Sequence, residues 1–206
     1  VRLLGSVGES INPQAWKWLR KHVGGDTASF IDTWWQSETG STICSPRPHD
    51  PAFAPEGTFP EGTPHCTPLP GCATREVPGV SVRVVDEHGD FVEPGKQGFI
   101  VVDKIGPSMA RTVWGDPQRY LNSYWKHYGT RGWFLAGDGA KVDDEGNVYI
   151  LGRIDDVINI SGHRLSTIEI ESALVTHPAV VEAGVCPVED ELTGHQAVAY
   201  VTLTDE

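Results

Sequence analysis

Between Asp32 and Gly40 the chain reads DTWWQSETG, with two adjacent indoles, three hydroxyls and two carboxylates in nine residues. The run follows the apolar pair Phe30-Ile31 and ends in glycine, so it reads as a strand end passing into a turn. Trp34 and Trp35 can wall a small apolar pocket or stack on a base. Ser37 and Thr39 can offer hydroxyls to a phosphate, and Glu38 can hold a divalent cation through its oxygens. Two core tryptophans beside a polar turn form the competing reading. A second constellation lies in AGDGAKVDDEGNVYILGRIDDVINISGHR. There Asp138 stands just past an expected strand, placed to accept from the two hydroxyls of a ribose, or simply to close a turn. Arg153 carries the planar fork that suits phosphate, and Arg164 follows, unless the two arginines only make surface ion pairs. A third, GSVGES at Gly5–Ser10, puts Gly8 where a flat ring can approach the backbone beside Glu9 and Ser10. An ordinary strand-to-turn junction has the same sequence signature.

The elements that must position these groups follow from periodicity. VRLLGSVGES predicts a buried strand and its turn. Asn12-Pro13 before QAWKWLRKHVGG is an N-cap with Pro at the first helical position, and the glycine pair ends that helix. VSVRVVDEHGD and GFIVVDK alternate as strands, and Asp116-Pro117 opens a short helix through QRYLNSYW. WFLAGDGAKVDDEGNVYILGRIDD predicts a strand, an acidic Gly-Asn turn and a second strand. The pattern changes at Asp155-Asp156. A short strand VINI, a loop SGHRL and a helix TIEIESALVTH come next, then two strands, VVEAGVCPV and AVAYVTL. Ser166 and Glu169 form a capping box, and Ile170, Ala173 and Leu174 give the helix its apolar face. The fold class expected is α/β, an α+β fragment, with a small domain following a larger one.

Composition narrows the function classes. The chain has 206 residues, 39% hydrophobic, and 16 basic against 28 acidic side chains give a net charge of −12. A surface that coats nucleic acid is not expected from that balance, although a local basic site for a phosphorylated small molecule is compatible with it. No apolar run approaches a membrane span, and no signal peptide opens the chain, so a cytoplasmic location and no membrane partner are expected. Cys44, Cys66, Cys72 and Cys186 lack C-x-x-C spacing, and reduced thiols are the default. Cys44, His49, His65, Cys66 and Cys72 could in principle bind zinc, but no zinc spacing fits, and Ser45–Gly71 reads as a solvated Pro/Gly-rich loop. The chain begins without an initiator Met, inside what reads as a strand, and stops at TLTDE. A piece of a longer polypeptide is expected.

Taken in order, GSVGES, DTWWQSETG, AGDG…GRIDDVINISGHR and ALVTHPAVVEAGV resemble the adenylate-forming acyl-CoA synthetases, and the double tryptophan resembles their acetate-activating branch. The resemblance covers nearly the whole chain, departing at Ser10, usually Pro, and at Ser37, usually Thr. It implies residues 1–154 as the end of the large AMP-binding domain and 155–206 as the start of the small mobile C-terminal domain, with the hinge at Asp155. It implies that Gly8, Glu9, Ser10, Asp32, Thr33, Trp34 and Gln36 surround adenine and that Ser37 touches the α-phosphate. Asp138 would take the ribose and Arg153 and Arg164 the nucleotide. Val7 and Trp35 would bound the acyl pocket, the indole leaving room for about two carbons. Ser161 and Gly162 would meet coenzyme A, and Glu38 would orient magnesium. Val175, His177 and Val180 would surround a structural metal ion. The activity implied is acetate–CoA ligation with ATP, Mg2+ and coenzyme A, all small-molecule partners. Propionate–CoA ligation and a non-catalytic nucleotide-binding module are the alternatives. The family's catalytic lysine would lie beyond Glu206, since no lysine follows Asp155.

Overall fold

The computed structural model describes residues 1, 3–46, 69–154, 157–160, 163–190 and 194–204, with backbone alone at Asn159, His163 and Arg164. Most of the Pro/Gly-rich segment, His49, His65, Cys66, Asp155, Ser161 and Gly162 therefore lie outside the described residues, as does the side chain of Arg164.

Two short parallel strands open the fold, β1 (Leu3–Ser6) and β2 (Ser29–Asp32), joined through helix α1 (Pro13–His22). The helix starts as its sequence predicts. Asn12 accepts from the amides of Gln14 and Ala15, and Pro13 spends no amide where none is needed. Trp16 is its buried anchor, 5.0 Å from Phe30 of β2. β1 is not the buried strand expected, because its residues alternate between exposed and half-buried.

The main core is a five-stranded antiparallel sheet in the order β3-β7-β6-β5-β4, formed by Cys72–Thr74, Val148–Arg153, Phe134–Val142, Gln97–Lys104 and Ser81–Val85. Alternation sorts its side chains. Val82, Val84, Ile100, Val102, Phe134 and Ala136 face one core with Trp34, Ile43 and Cys44, while Val85, Val101 and Tyr128 pack on the opposite face. Cys44 and Cys72 are buried, and burial drives the Cys44 thiol far above its usual range, as befits a packing residue. Helix α2 (Pro117–Tyr120), capped by Asp116, does not simply continue to Trp125. It widens into a π turn over Leu121–Trp125.

The remaining sheet is antiparallel with order β10-β11-β8-β9: Val180–Asp190, Gly194–Leu203, Val157–Ile160 and His163–Ser166. Here the expected loop is half wrong. His163–Ser166 is a strand, paired so that Val157 faces Ser166 and Ile160 faces His163, which makes the order ββαββ rather than βαββ. Helix α3 (Thr167–Leu174) stops at Leu174, short of His177. Its expected face is also narrower, for Ala173 is exposed while Ile170 and Leu174 are half-buried. Only half of the capping box forms. Ser166 accepts from the Glu169 amide at 3.4 Å, but the Glu169 carboxylate instead accepts from Lys141 and Gln97 of the larger sheet, each at 3.1 Å. No helix among the described residues is long and apolar enough to cross a membrane.

Candidate functional site

Beyond Asp32 the chain stays extended long enough for Trp34 to exchange backbone hydrogen bonds with Cys44, then turns. Thr39, wholly buried, closes that turn. Its hydroxyl donates to the carbonyls of Gln36 and Ser41 and accepts from the Gln36 amide. The loop at Gly106–Ala110 clamps the outside: Ser108 donates to the Thr39 carbonyl, and Ala110 donates to that of Glu38.

This turn and the edge of β6 and β7 enclose a cleft of about 420 Å³. Gly8, Glu9, Ser10, Asp32, Thr33, Trp34, Trp35, Gln36, Glu38, Asp138 and Arg153 all line it. Ser37 does not line it; the residue is exposed and stands between two that do. Gly71, Ala73, Ile150, Gly152, Thr167 and Ile168 complete the wall without having been expected there. Small residues next to a Pro/Gly loop and a helix start carry no local mark of a site. Only the pairing of β3 with β7 and the seat of α3 bring them in.

The two tryptophans divide the two readings of their motif between them. Trp34 is 6% exposed and belongs to the core, whereas Trp35 is 44% exposed. Trp34 also has a polar task, since its indole N–H donates to Asp138 Oδ2 at 2.9 Å. Gln36 donates to the same oxygen at 2.8 Å, and Arg153 Nη1 donates to Asp138 Oδ1 at 3.2 Å. Asp138 lies within β6, not past its end, directly opposite Arg153 in the register. Three donors thus fix one carboxylate at the cleft wall. Arg153 stays half-exposed, able to meet a ligand as well. Asp32 is buried too and accepts from Ser6 at 2.8 Å, which joins β1 to β2 beneath the cleft. Ser10, where Pro was the expected type, donates to the Ile150 carbonyl at 2.9 Å.

Burial pushes the Asp138 carboxyl above the usual carboxylate range, against the opposing pull of Trp34, Arg153 and Gln36. The folded state therefore binds this proton more tightly than the unfolded chain. The resulting stabilisation is complete below the unfolded pKa and is lost as pH rises through the raised folded value. Asp138→Asn is expected to remove that component, so melting temperature measured across the acidic range should fall less steeply with rising pH in the variant. An unchanged slope would assign the effect to other groups, such as Asp32, which burial also raises.

A second hollow, about 560 Å³, lies on the other side of the motif. It is lined by Leu3, Leu4, Val7, Ile31, Thr33 and Trp35 among others. Val7 and Trp35 thus face one space, and Trp35 is shared by both spaces.

Glu38 lines the cleft. Its Oε1 accepts from the Tyr124 hydroxyl, and the carboxylate sits in the cleft wall. The Val175–Val180 turn is tied up locally. His177 Nδ1 accepts from the Ala179 amide at 3.2 Å and its carbonyl from that of Val180 at 3.0 Å. Among the described residues no three His, Cys, Asp or Glu side chains form a metal cluster.

Residues 1–114, more than half of the chain, match the model of the AMP-binding enzymes, and 169–206 match the model of the C-terminal domain of AMP-binding enzymes. The chain belongs to the AMP-binding enzyme family. Within it, the chain is 46% identical over 209 residues to an acetyl-coenzyme A synthetase of Mycolicibacterium smegmatis, covering 98% of this chain and 21% of that protein. It is 48% identical over 203 residues to one of Streptomyces avermitilis, covering 98% and 28%, and 47% identical over 205 residues to one of Chlorobaculum tepidum, covering 100% and 28%. The chain therefore spans between about a fifth and three tenths of the curated relatives it matches. A solved structure, the anthranilate CoA ligase AuaEII in complex with anthranoyl-AMP, superposes with a TM-score of 0.76 at 25% identity, over 98% of this chain and 33% of that one. The mixed α/β fold is that of an adenylate-forming ligase of this family.

Proposed function

We propose that this chain is the nucleotide- and acyl-binding segment of an AMP-forming acetate–CoA ligase. A carboxylate oxygen of acetate attacks the α-phosphorus of ATP, the bond to the pyrophosphate oxygen breaks, and the thiol of coenzyme A then displaces AMP from the acetyl-adenylate. The observation that carries this reading is Trp35, which lines both the cleft holding Asp138 and Arg153 and the apolar hollow holding Val7. A nucleotide and a short acyl group share the cleft side, and the indole closes that side toward the hollow. The names of the relatives support acetate, and the anthranoyl-AMP bound by AuaEII supports an adenylate in the cleft.

In this reading the Asp138 carboxylate, held by Trp34, Gln36 and Arg153, accepts from the ribose hydroxyls, and Arg153 adds positive charge toward the phosphates. Catalysis is then chiefly positioning and charge stabilisation. Glu38 would hold Mg2+, which screens the phosphates when bound. Residues 1–154 form the end of the large domain and 155–206 the start of the small one, with Asp155 as hinge. The five-stranded sheet ends at Arg153 and the next sheet begins at Val157, which supports that boundary.

Asp138→Ala in the full-length protein tests the reading. A hydrogen bond to a charged group contributes about 1.5–3 kcal/mol, so KM for ATP should rise about 10- to 100-fold in acetate-dependent pyrophosphate exchange, with KM for acetate nearly constant. Equal losses for both substrates would make Asp138 a folding residue instead.

A further inference from the structure

Glu38 is held at both its ends by one segment of chain that the nucleotide reading does not use. Its carbonyl accepts from the Ala110 amide at 2.8 Å, and the Ala110 carbonyl accepts from the Tyr120 hydroxyl. Its side-chain Oε1 accepts from the hydroxyl of Tyr124, in the π turn that follows. The Tyr124 ring is fixed in turn, stacked on Phe134 at 5.1 Å and 10° and tilted against Tyr120 at 5.5 Å. Phe134 is wholly buried and opens β6, the strand that carries Asp138.

The chemistry of that contact is one-directional. The Tyr124 phenol is the donor and the Glu38 carboxylate, which can only accept, receives it through Oε1. A carboxylate with one oxygen occupied by a fixed neutral donor has one oxygen left to direct at a hard cation, and such supporting partners orient metal ligands. A π turn inside a helix often marks a functional position, and this one turns Tyr124 toward the cleft.

We propose that Tyr124 is a positioning residue that aims the Glu38 carboxylate at the magnesium of bound Mg·ATP. The inference rests on the reading of the cleft as an ATP site and deepens it. Removal of an orienting partner typically lowers metal affinity about 10- to 100-fold. Tyr124→Phe keeps the ring on Phe134 and removes only the donor. The test is calorimetric binding of ATP to the full-length protein, once with Mg2+ and once with the metal chelated. Tyr124→Phe is expected to weaken Mg·ATP about tenfold and to leave metal-free ATP unchanged. Glu38→Gln should show the same selectivity, and the double variant should bind no worse than Glu38→Gln alone. Equal weakening with and without Mg2+ would overturn the proposal in favour of a packing role, and so would multiplying losses in the double variant. Mg·ATP binding at wild-type strength by both single variants would overturn it too while leaving the ATP site standing. Failure of the unaltered protein to bind Mg·ATP would defeat the underlying reading itself. Tyr124→Leu, which loses ring and donor together, separates folding from orientation: it should lower the melting temperature well beyond Tyr124→Phe, which keeps the ring on Phe134.

Discussion

Trp35→Gly in the full-length protein is expected to move substrate preference from acetate to straight-chain acids of about four or more carbons. The indole is 44% exposed and faces both the polar cleft and the apolar hollow that Leu3, Leu4, Val7 and Ile31 line. Removing it joins the two spaces, so a longer chain can pass from the nucleotide side into an apolar one. Each methylene so buried adds only about 1–3 kcal/mol of discrimination, and the larger part of the switch comes from loss of the steric block. Acetate, left in an oversized space, should lose kcat/KM. The measurement is kcat/KM for a series of linear carboxylates. Retention of acetate preference by the variant would remove Trp35 from the acyl wall.

The second large effect is one of stability. Gly40 has φ +66°, and a Cβ there would stand 2.2 Å from the carbonyl oxygen of Ser108. That neighbour is backbone, fixed by the Ser108 and Ala110 hydrogen bonds to the Thr39 and Glu38 carbonyls, so it cannot step aside cheaply. Gly40→Ala should cost on the order of 3 kcal/mol or more, at the upper end for a single substitution. Gly95→Ala is the control, with φ +81° and open space around the added methyl. It should cost only the left-handed strain of about 1–2 kcal/mol. Denaturant unfolding of the two variants reads the difference. Similar losses would mean that the clamp yields. A larger loss at Gly40 should also bring weaker nucleotide binding, because the same turn carries Gln36 and Glu38.

How far the sequence reaches depends on how local each signal is. Asn12-Pro13 announces α1 because cap and helix start are chemically complete within a few residues. The β6–β7 hairpin is legible for a similar reason, in its alternation and its Asp143–Asn147 turn, where Asn147 donates to Asp143 at 2.7 and 2.9 Å. β9 is different. HRLS has little strand character of its own, and it is extended because it pairs with VINI of β8. Within the site, the DTWWQSETG run points to a cleft, yet Trp34 finds Asp138 at a separation of 104 residues and Glu38 finds Tyr124 at 86. No pattern in either segment announces its partner. The capping box shows the converse: Glu169 has the right local spacing, but Lys141 and Gln97, brought near by tertiary packing, take its carboxylate.

The π turn at Leu121–Trp125 also makes the length of its segment matter more than its composition. Leu121, Asn122 and Ser123 are exposed, so substitutions there meet mostly water. A deletion is another matter, because one residue of α-helix corresponds to about 100° of rotation. Taking out any one of the three would swing Tyr124 off Glu38 and turn Trp125 away from its edge contact with Phe134. Variation along this stretch is therefore cheap by exchange and costly by indel: the segment works as a ruler.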